Sequence, residues 1–139
     1  MSKRISPHLV RAPPEPADPG RQQFYGRLLA VLRQPCIRNG QWRLLDCEPA
    51  WEGNWTSTCF IASAWEAENS RRLIVVNYAG NQSQCYVRLP FLDLAGRAVQ
   101  LADLTGSAIY DRQGSDLLSR GLYLDLLPWG YHVFEVTAS

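Results

Sequence analysis

The chain carries almost no net charge. It sums to +1 over 139 residues, and no basic cluster is longer than the pair Arg71-Arg72. Nothing here would build the field or the basic stripe that draws nucleic acid to a surface, so a nucleic-acid partner is excluded. Long apolar runs are also missing. No stretch approaches the about 20 apolar residues of a membrane helix. The opening, MSKRISPHLVRAPPEP, is basic but has neither the apolar segment nor the small-residue cleavage site of a secretory signal. The expectation is a soluble, cytoplasmic chain with no membrane partner.

Histidine is scarce: His8 sits in a proline-rich stretch and His132 in an apolar strand pattern. A nucleophile–base pair needs His beside Ser or Cys. His132 reads as a structural residue instead. No G-x-S-x-G, glycine-rich phosphate loop or H-E-x-x-H is present. The four cysteines, Cys36, Cys47, Cys59 and Cys85, are widely spaced. Zinc sites need close pairs, so the expectation is no metal and no cofactor. Without an export signal the cysteines read as reduced, buried thiols. A contact between Cys59 and Cys85 on neighbouring strands is the pairing the pattern allows. Asn54-Trp55-Thr56 and Asn81-Gln82-Ser83 match glycosylation sequons, by chance in an unsecreted chain.

What is present describes one globular body. Apolar residues make up 46% of the chain and charged residues 19%. A chain of this length buries about 68–70% of its unfolded surface without staples. Residues 1–17 hold four of the nine prolines and read as a tail or linker. Asp18 as N-cap and Pro19 at the first helical position open a helix over 18–35. Phe24, Leu28, Leu29 and Leu32 form its apolar stripe, and Pro35 ends it.

From residue 36 to 139 the character is β. The pattern predicts strands over 41–47, 57–65, 72–78, 83–89, 97–104, 107–110, 121–127 and 131–136. Loops are expected over 48–56 and 111–120. Leu73-Ile74-Val75-Val76 reads as a central strand covered on both faces. Pro128-Trp129-Gly130 splits the last two strands, and here the chain turns or changes sheet. About eight short strands with regular turn signals describe an antiparallel Greek-key β-sandwich preceded by one amphipathic helix.

Carboxylates are poorly placed for chemistry. A glycosidase needs two, about 5–10 Å apart across a cleft. Asp46 and Glu48, with Glu52 nearby, read as solvated strand-end groups. Asp103, Asp111, Asp116 and Asp125 read as turn or solvent-facing residues, and no calcium-loop spacing links them. The compositional excess is aromatic, with five Trp and six Tyr. Trp51-Glu52-Gly53-Asn54-Trp55 places two indoles in one loop with polar groups between them. Such faces stack on sugar rings, so Trp51, Glu52, Asn54 and Trp55 are candidate carbohydrate-binding residues. The alternative is that these Trp plug the end of the sandwich or pack on a neighbouring domain. Trp129 reads as a core plug.

Several segments in order resemble the C-terminal β-sandwich domain of α-amylase-type enzymes of glycoside hydrolase family 13. They are Phe24-Tyr25-Gly26-Arg27-Leu28-Leu29, Leu73-Ile74-Val75-Val76-Asn77-Tyr78 and Tyr86-Val87-Arg88-Leu89-Pro90. Asp103-Leu104-Thr105-Gly106 follows, then Gly121 to Leu126 and Pro128-Trp129-Gly130-Tyr131-His132-Val133-Phe134. In that family a catalytic (β/α)8 barrel precedes the domain. The resemblance makes 18–35 similar to the last barrel helix and 4–16 to the segment leaving the last barrel strand. The family's nucleophile, acid and third carboxylate lie in the barrel, and nothing in this chain matches them. The resemblance therefore implies a non-catalytic domain that packs on a barrel through Phe24, Leu28, Leu29 and Leu32 and helps hold α-glucan. It implies a fragment, a truncated product or half of a split enzyme. On the residues alone, a free-standing carbohydrate-binding module and an immunoglobulin-like interaction domain stay open.

Overall fold

In a computed structural model of the chain, residues 40–68 and 70–139 are described, with Gly26, Leu29, Ala30, Arg33, Gln34 and Ile37. They form an antiparallel β-sandwich. The larger sheet holds β1 (Gln41–Leu45), β3 (Phe60–Ala67), β4 (Ser70–Asn77), β9 (Tyr131–Ala138), β6 (Ala98–Asp103) and β7 (Ile109–Gln113), in that spatial order. The smaller sheet holds β2 (Cys47–Glu48), β5 (Ser83–Val87) and β8 (Leu122–Leu126).

The core follows from alternation. Phe60, Ala62 and Ala64 of β3, Leu73 and Val75 of β4, and Phe134 and Val136 of β9 point inward. They meet Cys85 and Val87 of β5 and Leu122, Leu124 and Leu126 of β8 from the opposite sheet. Each strand thus gives alternate residues to the space between the sheets, as an aligned sandwich requires. β4 lies in the middle of its sheet, as its apolar run predicts.

Three local expectations give way to tertiary structure. The strand expected over 41–47 is two strands in different sheets. β1 pairs with β3 while Cys47 already pairs with Val87, and Asp46 bridges them, its carbonyl accepting from the Arg88 N–H at 3.1 Å. Residues 55–59 form a 3-10 helix rather than the start of β3. The loop expected over 111–120 holds the end of β7 and a helix, Gly114–Arg120, at the sandwich rim. A single buried leucine turn opened by glycine carries too little periodicity to announce itself.

The Pro128-Trp129-Gly130 break does carry the chain from one sheet to the other, as predicted. Its details differ. The positive φ, 59°, belongs to Trp129 and not to Gly130. Gly130 is needed for space, because a Cβ there would lie 2.9 Å from the Leu127 carbonyl oxygen. Left-handed backbone turns the Trp129 ring outward, 58% exposed and edge-on to Tyr78 at 5.4 Å. It is not a core plug. Asn77 closes this end instead. It is fully buried, and its amide donates to the carbonyls of Asn81, Leu126 and Leu127 at 2.8, 3.3 and 3.0 Å.

Candidate functional site

The outer face of the six-stranded sheet carries exposed apolar residues on its β1–β3–β4 side, while Arg72, Glu135, Gln100 and Asp111 stand on the same face towards β6 and β7. The register sets Ile61, Val76 and Tyr131 directly opposite one another across β3, β4 and β9. Trp42 stands opposite Trp65, and Leu44 opposite Ser63. Ile109 lies on the same face through its pairing with Ala102. Trp42, Leu44, Ile61 and Ile109 are 54%, 64%, 50% and 59% exposed. Scattered exposed apolar residues are ordinary, but a strip across several strands marks an interaction surface.

The middle of this face is covered by the chain itself. Ile37 is buried on Val133, with Trp65, Ile74 and Leu104 around it, forming a second small core outside the sandwich. Arg72 projects from β4 on the same side. Its Nε donates to Gln34 Oε1 at 2.6 Å, and its guanidinium stands 3.4 Å from Glu135. Gln34 and Ile37 are therefore held against the sheet's outer face. Gly26, Leu29 and Ala30 are helical, and Leu29 is exposed. Phe24, Leu28 and Leu32, the other residues expected to pack on a barrel, lie outside the described residues.

The aromatic loop lies at the sandwich end where β3 starts. Trp51 and Trp55 are 53% and 65% exposed, and Glu52 is exposed. Asn54 turns inward. Its Oδ1 accepts from the Ala50 N–H at 2.9 Å and its Nδ2 donates to the Thr56 hydroxyl at 2.8 Å, so its amide organises the loop. The indoles are presented to solvent; the amide between them is not.

Asp103 is not the solvent-facing turn residue its neighbours suggest. Its side chain is only 6% exposed, with Oδ2 2.7 Å from His132 Nδ1. A carboxylate only accepts, so Nδ1 carries the proton. Oδ1 takes the Thr105 N–H and hydroxyl at 2.9 and 2.8 Å and the Val133 N–H at 3.2 Å. Burial pushes this carboxyl up, but the bonds from His132, Thr105 and Val133 outweigh it and leave the pKa at about 2. The His132 ring stacks on Phe134 at 4.8 Å and meets Tyr110 edge-on at 6.1 Å. Those neighbours carry no activated nucleophile, and the pair fastens β9 to the turn after β6.

The cysteine contact differs from the expected one. Cys85 pairs through a hydrogen bond with Cys47, which pulls the Cys47 thiol down and pushes the Cys85 thiol up. Cys59 and Cys85 are both free thiols. Among the described residues, no group of three or more His, Cys, Asp or Glu side chains converges as a metal site requires. No helix among them is long and apolar enough to cross a membrane.

These features define a two-sheet antiparallel β-sandwich with an exposed apolar patch on one outer face. No family model matches the chain, and no curated protein matches it. Among solved structures it is similar to an inactive double mutant of MutB in complex with isomaltulose, at 16% identity and TM-score 0.51, over 82% of this chain and 17% of that one. It is similar to a MutB mutant in complex with the substrate sucrose, at 16% identity and TM-score 0.50, over 81% and 17%. Trehalulose synthase MutB from Pseudomonas mesoacidophila MX-45 gives 15% identity and TM-score 0.49, over 81% and 17%. At such identities the likeness is one of fold. The chain spans about a sixth of the length of the structures it matches.

Proposed function

We propose that this chain is a non-catalytic C-terminal domain of an α-amylase-type glycoside hydrolase, a domain that packs on a (β/α)8 barrel and stabilises it. The barrel belongs to the same parent protein or to a separate chain. The observation that carries this reading is the exposed apolar patch of Trp42, Leu44 and Ile61 on the outer face of the six-stranded sheet, on which Gln34 and Ile37 are also held. A domain meant to stand alone would cover that face with charge. Gln34 and Ile37 lie against that same face, which supports a partner body beside it. The order of motifs that resembles the family's C-terminal domain agrees, as does a fold shared with a small part of a much longer sugar-converting enzyme. The barrel-facing surface is then Trp42, Leu44, Ile61 and Ile109 together with the Phe24, Leu28, Leu29 and Leu32 stripe. Catalysis belongs to the barrel, and the chain alone hydrolyses no starch.

The purified chain should self-associate and bind a hydrophobic dye. In the double variant Trp42→Ser/Ile61→Ser, dye fluorescence should fall by about half or more with the far-ultraviolet dichroism unchanged. A wild-type chain that is already monomeric and dye-silent would remove the docking face. Coding sequence immediately upstream should read as a barrel; unrelated sequence there counts against the partner.

A second reading, a carbohydrate-binding module on the aromatic loop, is favoured by the exposure of Trp51 and Trp55. It now rests on Trp51, Glu52 and Trp55, since Asn54 faces inward. Maltooligosaccharide at millimolar concentration should then change Trp fluorescence in the wild type but not in Trp51→Ala/Trp55→Ala. An unaltered wild-type signal, or an equal response in the variant, ends that reading.

A further inference from the structure

We infer a saccharide subsite on the other side of the molecule, where the rim helix meets the outer face of the three-stranded sheet. It takes one glucose unit of an α-glucan. The choice of sugar rests on the function proposed above; the pocket itself does not.

The site is assembled by three local features. Tyr86 and Tyr123 stand opposite one another on β5 and β8, on the outward side, with ring centroids 5.5 Å apart and planes tilted by 57°. Gly121 then ends the rim helix in a conformation only glycine takes easily, φ 93°, and a Cβ there would lie 2.8 Å from the Val87 carbonyl oxygen. That sharp exit brings Arg120 back over Tyr86. Its guanidinium carbon lies 5.8 Å from the Tyr86 ring centroid and its Nη2 donates to the Tyr86 hydroxyl at 3.2 Å. Arg112 from β7 and Asp116 from the rim helix complete an open pocket of about 250 Å³.

The chemistry of the lining selects the ligand. A pyranose has an apolar C–H face and a rim of hydroxyls that both donate and accept. The pocket offers an exposed aromatic ring in Tyr123, further N–H donors on Arg112 and Arg120, and an acceptor in the Asp116 carboxylate. Burial and the neighbouring Asp125 push the Tyr123 phenol up, so it remains a protonated donor. A phosphate would meet the two guanidiniums but also Asp116, and it would leave the tyrosine face unused. The volume falls below the about 300–1,000 Å³ of pockets that enclose drug-sized ligands, which restricts it to a single ring and weak binding. Trp51 and Trp55 do not line it.

A ¹⁵N–¹H correlation titration of the purified chain with maltotriose tests the site. Saturable shifts of the Gly121, Leu122 and Tyr123 amides are expected at a Kd of about 1–10 mM. Tyr123→Ala should weaken binding by about tenfold or more, while Tyr123→Phe retains the stacking and most of the affinity. If Tyr123→Ala does not fold, Arg120→Ala serves in its place. Trp51→Ala/Trp55→Ala should leave the shifts unchanged. Absence of shifts at these amides, or shifts confined to the Trp51–Trp55 loop, overturns the subsite. So does a parallel titration in which sodium phosphate, and not maltotriose, moves the same amides. A dye-silent monomer that still binds maltotriose here would fail the docking face and leave the subsite standing.

Discussion

Replacing Gly114 by alanine should destabilise the domain by about 3 kcal/mol or more, enough to leave much of a chain of ordinary stability unfolded. Helix propensity alone gives the opposite sign, because alanine is better than glycine inside a helix by about 1 kcal/mol. The packing decides. A Cβ on Gly114 would sit 1.8 Å from the Leu94 carbonyl oxygen, 2.6 Å from its carbon and 3.1 Å from the Arg97 oxygen. All three are backbone atoms, so no side chain can swing aside. The Gly114 N–H also donates to the Arg97 carbonyl at 2.8 Å, which fixes the helix start against that segment. Relief requires the rim helix to move away from the 3-10 turn Leu92–Leu94 and to expose Leu94 and Leu117, both buried. Urea denaturation gives the measurement, with Ser119→Ala on the exposed side of the same helix as the control, expected within about 0.5 kcal/mol of wild type. A Gly114→Ala midpoint at or above wild type would falsify this packing of the rim helix.

Asp103→Ala is the second large effect, with an expected loss of about 3–5 kcal/mol. The substitution removes the acceptor for four donors at once: His132 Nδ1, the Thr105 N–H and hydroxyl, and the Val133 N–H. His132 Nδ1 and the Val133 N–H then lose the acceptor they use in a nearly closed site. Asp103→Asn should lose less, since an amide oxygen still serves Thr105 and Val133. The carboxylate also predicts a pH dependence. Its folded pKa, about 2, lies below the ordinary carboxylate value of about 3.9. A depressed folded pKa stabilises the protein fully above the unfolded value and loses that stabilisation as pH falls from about 4 through about 2. The stability difference between wild type and Asp103→Asn should therefore shrink across that window, by on the order of 2 kcal/mol. Urea midpoints between pH 2 and 7 measure it. A difference independent of pH would mean that the Asp103 carboxyl has the same pKa in the folded and the unfolded protein.

The β class of the domain was legible from alternation. Phe60, Ala62 and Ala64 on one side of a strand, and Leu122, Leu124 and Leu126 in another, leave one face to bury, and both sets are core. The central place of Leu73 to Val76 and the change of sheet at Pro128 to Gly130 were legible for similarly local reasons. Trp51 and Trp55 are both exposed, but in the sequence the inward-turned Asn54 was not separable from them. Whether a loop amide turns inward depends on Ala50 and Thr56 being near it in space.

The tyrosine pocket was invisible in the sequence. Tyr86 and Tyr123 are 37 positions apart, and only the β5–β8 register brings their rings together. Arg120 joins them because Gly121 turns the chain. The apolar sheet face was hidden for the same reason. Trp42, Ile61 and Ile109 are unremarkable singly, and they become a surface when antiparallel pairing puts alternate residues of several strands on one side.

By itself, then, the sequence determined the alternating strands and the turns of an antiparallel sandwich. Those properties follow from periodicities of two and from spacings within a few residues. The tertiary structure decided where Trp129 points, that the Asp103 side chain is enclosed, which cysteines touch, and where the outer face of the larger sheet is apolar. Each of those depends on strand order and register, which are set by side chains meeting across the sandwich from distant parts of the chain.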